Sequence, residues 1–149
     1  MASLGSANGL YRKMSMLDKK FKKLNKKKWD MVYVDIVREI SEFFLTTVIP
    51  KTPIDTGKLR KGWTGGSYEK PRTFAKSMAV ERSGDAYITI IDNDVEYAIS
   101  VEFGHTTIQG AYIPPVFMTL NSADITRANV KALVERKYYA ELRKVFKWL

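Results

Sequence analysis

"NDVEYAISVEFG", residues 93–104, decides how much of this chain is sheet. Val95, Tyr97, Ile99, Val101 and Phe103 alternate, the period of two that puts every second side chain on one face of a strand. Asn93 or Asp94 is also suited to capping a helix, and Gly104 to ending one. Periodicity alone reads as a strand. Downstream, "HTTIQGAYIPP" (105–115) is a polar, glycine-containing loop closed by two prolines, long enough to serve a purpose beyond connection. From about Ser122 to Phe146 a long helix is expected, with Val130, Leu133, Val134, Tyr138, Leu142, Val145 and Phe146 as its buried stripe. Its last turn is rich in Arg and Lys, which suits the negative end of a helix dipole.

Upstream, Ala86–Ile91 and Phe74–Val80 read as strands joined by the turn "RSGD" (82–85), with "GWTGGSY" (62–68) extended before them. Ala86, Ile88 and Ile90 share one face and Tyr87, Thr89 and Ile91 the other. Both faces are fairly apolar, so the expected antiparallel sheet is covered by helices on one side and partly by another subunit on the other. "TPIDTGKLRKGW" (52–63) is a corner. Pro50 and Pro53 end the preceding helix, the Asp55 carboxylate can accept from backbone N–H groups ahead of it, and Gly57 takes angles closed to other residues. That preceding helix runs from about Trp29 to Val48, with Tyr33, Ile36, Val37, Ile40, Phe43, Phe44 and Thr47 on one broad face. An earlier amphipathic helix, Tyr11 to Lys28, carries Met14, Leu17, Phe21 and Leu24 as a stripe. The two registers differ by one residue, which implies a kink or break at Lys26–Lys28. Residues 1–9 read as a flexible leader.

At 149 residues, 45% apolar and 12% aromatic, the chain can build one ordinary core. The expected organisation is a leader plus lysine-rich helix over 1–28 and a single α+β domain over 29–149. The formal charge of +9 is concentrated: residues 12–28 hold nine Lys/Arg against the single acid Asp18. Arg12, Lys13, Lys19, Lys20, Lys22, Lys23, Lys26, Lys27 and Lys28 are thus candidates for contact with DNA or with an acidic partner. A membrane-surface helix would instead sink Met14, Leu17 and Phe21 into lipid, and the bland alternative packs the stripe on protein and leaves the lysines hydrated. Zero cysteines exclude disulfides and thiolate metal clusters. No run approaches the roughly 18 apolar residues of a membrane span, and the N-terminus has no apolar signal core, so neither a membrane partner nor export is expected.

The motifs of catalysis are missing. There is one histidine, no nucleophile elbow and no phosphate-cradling glycine loop. Glu102 and His105 are three apart, but a metal would need a further convergent ligand. Asp92 and Asp94 read as caps for whatever begins at Val95. Neither catalytic, metal-binding nor cofactor-binding residues are expected.

Pro53, Asp55, Thr56, Gly57, Leu59 and Arg60 of the corner, then Asn93, Tyr97, Ala98, Val101, Glu102, Phe103 and Gly104, then Phe117 and Met118 of "PPVFM", occur in this order around a hairpin. In this the chain resembles tailed-bacteriophage minor tail or tail-completion proteins, which sit at the neck between head and tail. The resemblance covers about Thr52 to Met118; the lysine-rich segment departs from it. It implies an α+β protomer, a twisted antiparallel β-sheet flanked by N-terminal helices and a long C-terminal helix. It also implies that 95–103 is a short helix, against the periodicity. The implied role is a structural virion protein forming a homo-oligomeric ring, commonly of six, that joins the tail to the head connector and keeps the DNA channel continuous. Its partners would be its own copies, the head–tail connector, the tail tube or terminator, and packaged DNA. On this reading Pro53, Asp55, Thr56, Gly57, Leu59 and Arg60 fix the corner. Tyr97, Val101, Glu102, Phe103, Gly104, His105, Gln109, Gly110 and Tyr112 form the assembly interface. The alternatives are a tail terminator that caps the tube and, from a different class, a small basic duplex-binding protein.

Overall fold

The computed structural model describes residues 26–145, together with residues 9, 12, 14–16, 18 and 19, which are helical. Lys13, Lys20, Lys22 and Lys23 of the expected basic contact lie outside the described residues, as do Leu17, Phe21, Leu24 and Phe146 of the expected stripes.

The first long element, α1 (Lys26–Lys51), is 26 residues, about 39 Å at 1.5 Å per residue. It runs past both expected ends, and Pro50 sits inside its last turn, where the ring removes only one hydrogen bond before the helix stops. Its most deeply covered line is Val32, Ile36, Ser41, Leu45 and Val48, turned from the expected face. Tyr33 is exposed, while Leu45 and Val48 are fully buried. Which face is covered depends on the packing partners, and α1 is gripped by two other helices. Ser41 is tolerated in this line because its hydroxyl donates to the Val37 carbonyl at 2.9 Å.

The corner leads into α2 (Lys58–Gly62) and, after a glycine-rich turn, α3 (Pro71–Ser77). α2 lies within the corner, while a turn over 63–66 replaces expected extended chain and α3 replaces the start of the expected strand Phe74–Val80. At α3 the reason is Pro71: it occupies the first helical position, where its fixed φ is pre-set and its missing N–H has no helical partner to lose. The Arg38 guanidinium of α1 donates to the Met78 carbonyl at 3.1 and 3.3 Å, closing the far end of α3.

The hairpin at "RSGD" forms as expected. Strands β1 (Glu81–Ser83) and β2 (Ala86–Ile88) pair antiparallel, with Ser83 opposite Ala86 and a two-residue loop led by Gly84 at φ +61°. It is shorter than expected, since Thr89–Ile91 leave the ladder. Residues 95–103 are not a strand: α4 is Ala98–Phe103. The loop after it is itself a hairpin, β3 (His105–Thr106) paired antiparallel with β4 (Tyr112–Ile113). The last described element is α5 (Met118–Val145), 28 residues that begin four residues before the expected start.

The fold is therefore α+β, with helices on both sides in sequence of antiparallel strands that form two separate two-stranded ladders. The core lies where α1, α2, α3, α4 and the start of α5 meet, around Leu45, Val48, Leu59, Trp63, Ala75 and Met118. No helix among the described residues is long and apolar enough to cross a membrane.

Candidate functional site

The three cations of "GKLRKGW" each have an intramolecular task. Arg60 donates to the Thr52 carbonyl at 2.7 Å and the Pro50 carbonyl at 3.3 Å, placing a fixed positive charge at the C-terminal end of α1. Lys58 pairs with Glu96 at 3.4 Å, and Lys61 stands 4.2 Å over the Tyr68 ring. Asp55, expected to cap the corner, is exposed and accepts no hydrogen bond among the described residues. The Lys58 N–H reaches the Thr56 hydroxyl at 3.4 Å. Gly57 takes φ +78°, and the Tyr68 hydroxyl occupies the space a Cβ would need. Leu59 is buried in the core, and Pro53 and Thr56 are exposed.

Two corner residues, Thr52 and Trp63, escaped the sequence reading as structural anchors. Thr52 is fully buried; it donates to the Val48 carbonyl at 2.8 Å and accepts the Trp63 indole N–H at 2.9 Å. Asn93, one of the residues suited by sequence to capping, donates to the Leu59 carbonyl at 2.7 Å and accepts the Val95 N–H at 3.3 Å, while Asp92 and Asp94 do not cap. The corner thereby fixes α4.

Tyr97, just before α4, and Val101 within it pack against the core rather than pointing outward. Glu102, placed by sequence in the assembly interface, is only 5% exposed. Its two oxygens accept the backbone N–H groups of Thr119 at 2.9 Å and Leu120 at 3.0 Å. It is a carboxylate at a helix N-terminus, where unpaired N–H groups and the dipole both favour negative charge, and it explains the early start of α5. Backbone bonds from Val116 to the Val101 carbonyl (3.0 Å) and from Phe117 to the Glu102 carbonyl (3.1 Å) clasp the same joint. Phe117 is held at φ +51°, an uncommon conformation for an aromatic residue. His105 does not approach the Glu102 carboxylate as a second ligand would; its ring lies 3.3 Å from the Ser100 carbonyl, on the exposed side. Among the described residues no three His, Asp or Glu side chains gather as a metal would require.

From this joint the β3–β4 hairpin projects. Gly104 leads into it at φ +75°, and a Cβ there would meet the Ile113 carbonyl oxygen at 2.6 Å. The tip is closed by N–H bonds from Gly110 to Thr107 (2.9 Å) and from Thr107 to Ala111 (2.8 Å), and by the Thr107 hydroxyl accepting the Ala111 N–H at 3.1 Å. Gln109 and Gly110 are exposed there as expected. Ile108, which sequence did not single out, is completely exposed, and Tyr112 is 66% exposed. Phe103 stands edge-on to Phe117 at 6.4 Å below the hairpin, both rings facing solvent. The result is an apolar finger on a braced base.

A second cluster ties the β1–β2 hairpin to the start of α1. Asp30 accepts from the Tyr87 hydroxyl and from Arg82 at 2.8 Å, and Tyr87, Tyr33, Trp29 and Tyr138 form a run of ring contacts. The hydrogen bond to Asp30, then burial, raise the Tyr87 pKa. A cleft of about 850 Å³ between α1, α3 and α5 is lined by acids and bases together, with Glu39 paired to Arg136. Of the expected basic contacts, Arg12, Lys19 and Lys28 are exposed; Lys26 and Lys27 lie in the first turn of α1.

Residues 15–104 match the family model described as "Bacteriophage HK97-gp10, putative tail-component". No curated protein and no solved structure shows significant similarity to the chain. The matched span takes in the corner, the β1–β2 hairpin and α4, and stops at Gly104, the residue from which the exposed finger departs. Over more than half its length, and through the elements that set its core, the chain belongs to the HK97-gp10-like family of bacteriophage tail components.

Proposed function

We propose that this tail component acts at the neck of the virion as a homo-oligomeric ring, hexameric as the sequence resemblance implies, joining the tail to the head connector around a continuous DNA channel. It makes and breaks no bond; its work is surface matching. The observation that carries this reading is the apolar finger. Ile108 and Tyr112 are held in water on a hairpin whose base is clasped to α4 and α5. Exposed apolar area is unfavourable by about 25 cal/mol per Å², so covering it on a neighbouring component is downhill. A pre-ordered hairpin also loses little entropy on docking. A ring needs two different complementary patches per subunit, and the finger and the helical body supply different surfaces.

The test is Ile108→Asp in the intact phage. The variant chain should fold as before, because the side chain touches nothing that orders the hairpin. Filled heads and finished tails that do not join are the expected result. Overlong tails would instead assign the terminator role, and a normal yield of infectious particles would overturn the reading.

A further inference from the structure

Two adjoining recesses of about 200 and 260 Å³ share Trp63, Ile91 and Asp92 on the face formed by residues 90–99 and the start of α5. Large apolar side chains stand open around them: Ile90 is 78% exposed, Ile99 73%, and Phe103 and Leu120 are about half exposed. Asp92 and Asp94 rim the same trough, both exposed and with no cationic partner among the described residues. No Lys or Arg lines either recess. This is an apolar trough with an uncompensated acidic rim.

The chain contains a segment of the opposite character. Residues 12–24 carry the stripe Met14, Leu17, Phe21 and Leu24 among six Lys/Arg and one acid. Arg12, Met14, Met16 and Lys19 are helical and exposed, so the described part of the stripe is uncovered within one copy. We infer that this basic, amphipathic segment docks into the trough of a neighbouring copy, its stripe on Ile90, Ile99 and Leu120 and its lysines on Asp92 and Asp94. The inference rests on the ring reading and names one of its lateral contacts, leaving the finger for the component above or below.

Within one copy neither surface covers the other: Met14 is 58% exposed and Met16 57%, while Ile90 and Ile99 of the trough stand open. The contact is left to a second copy, and a heterologous contact repeated around a closed ring supplies it.

The cysteine-free chain makes a direct test clean. Full-length Phe21→Cys carrying one affinity tag is mixed with full-length Leu120→Cys carrying another, under mild oxidation. A covalent heterodimer is expected, in clear excess over that formed with Tyr139→Cys, which lies 19 residues farther along α5, about 28 Å away. Adding Asp92→Lys and Asp94→Lys to the Leu120→Cys chain should slow the cross-link by about ten-fold or more, the lower scale on which opposite charges speed association. Heterodimer yield no higher than in the Tyr139→Cys mixture overturns the inference, also if the lysines then prove to protect duplex DNA instead. Light scattering on the unmodified chain separates the two readings. A ring that survives deletion of residues 1–25 defeats the segment docking alone, whereas a native chain that stays monomeric at all concentrations defeats the ring.

Discussion

Glu102 offers the sharpest perturbation. Replacing it by alanine removes both acceptors from the Thr119 and Leu120 N–H groups and leaves the first turn of α5 unsatisfied beside the core. Each hydrogen bond to a charged group contributes about 1.5–3 kcal/mol net, and a partly buried carboxylate at a helix N-terminus up to about 2 kcal/mol. Burying the carboxylate in the native chain offsets part of that sum. The expected loss for Glu102→Ala is therefore about 3 kcal/mol, or roughly 150-fold in the folding equilibrium. Glu102→Gln keeps the shape and one good acceptor but sets an amide N–H against a backbone N–H, so about half that loss is expected. Urea unfolding at one fixed protein concentration measures both, the concentration being held because association adds to apparent stability. Amide exchange gives an independent reading: Thr119 and Leu120 should lose protection first. An alanine variant within about 0.5 kcal/mol of the native chain would refute the capping role and return Glu102 to the candidate interface.

Thr52→Val should cost about 1–3 kcal/mol, since it leaves the buried Trp63 indole N–H without its acceptor while preserving volume; indole fluorescence during denaturant unfolding checks it. Ser122→Ala should be neutral or stabilising by up to about 1 kcal/mol, because the Ser122 hydroxyl is fully buried and makes no hydrogen bond among the described residues; a clear drop in thermal midpoint would contradict this. Tyr87 has its pKa raised in the folded chain, first by donating to Asp30. Its contribution should be constant at neutral pH, where the phenol is protonated in both states, and be lost as pH climbs through the raised pKa, beyond the ordinary phenol value of about 10. Tyr87→Phe should abolish that alkaline loss in a pH series of unfolding midpoints.

The readable parts were those governed by local rules. The long period of α1 and α5 announced helices, and Gly84 announced a hairpin, because each depends on residues a few positions apart. The charge of residues 12–28 is a matter of counting. Asp55 looked like a cap by the same local logic and is exposed, since the neighbouring Thr56 hydroxyl and distant partners hold the corner instead. Arg60 was legible as a corner residue, but its grip on the Thr52 and Pro50 carbonyls was not. The span Phe74–Val80 misled because its alternation is short and Pro71 outweighs it.

The sequence by itself determined that long helices precede and follow a hairpinned middle, that one segment is strongly basic and that the chain can build one modest core. Only the tertiary structure decided 95–103. Val95, Ala98 and Glu102 are its buried residues, spaced three and four apart as on a helix, while Ile99 and Phe103 face water. The alternation arose because apolar residues stand on the solvent side as well as the core side. Periodicity counts apolar residues without knowing which the fold will cover, and a surface that meets other proteins leaves some of them uncovered within one copy.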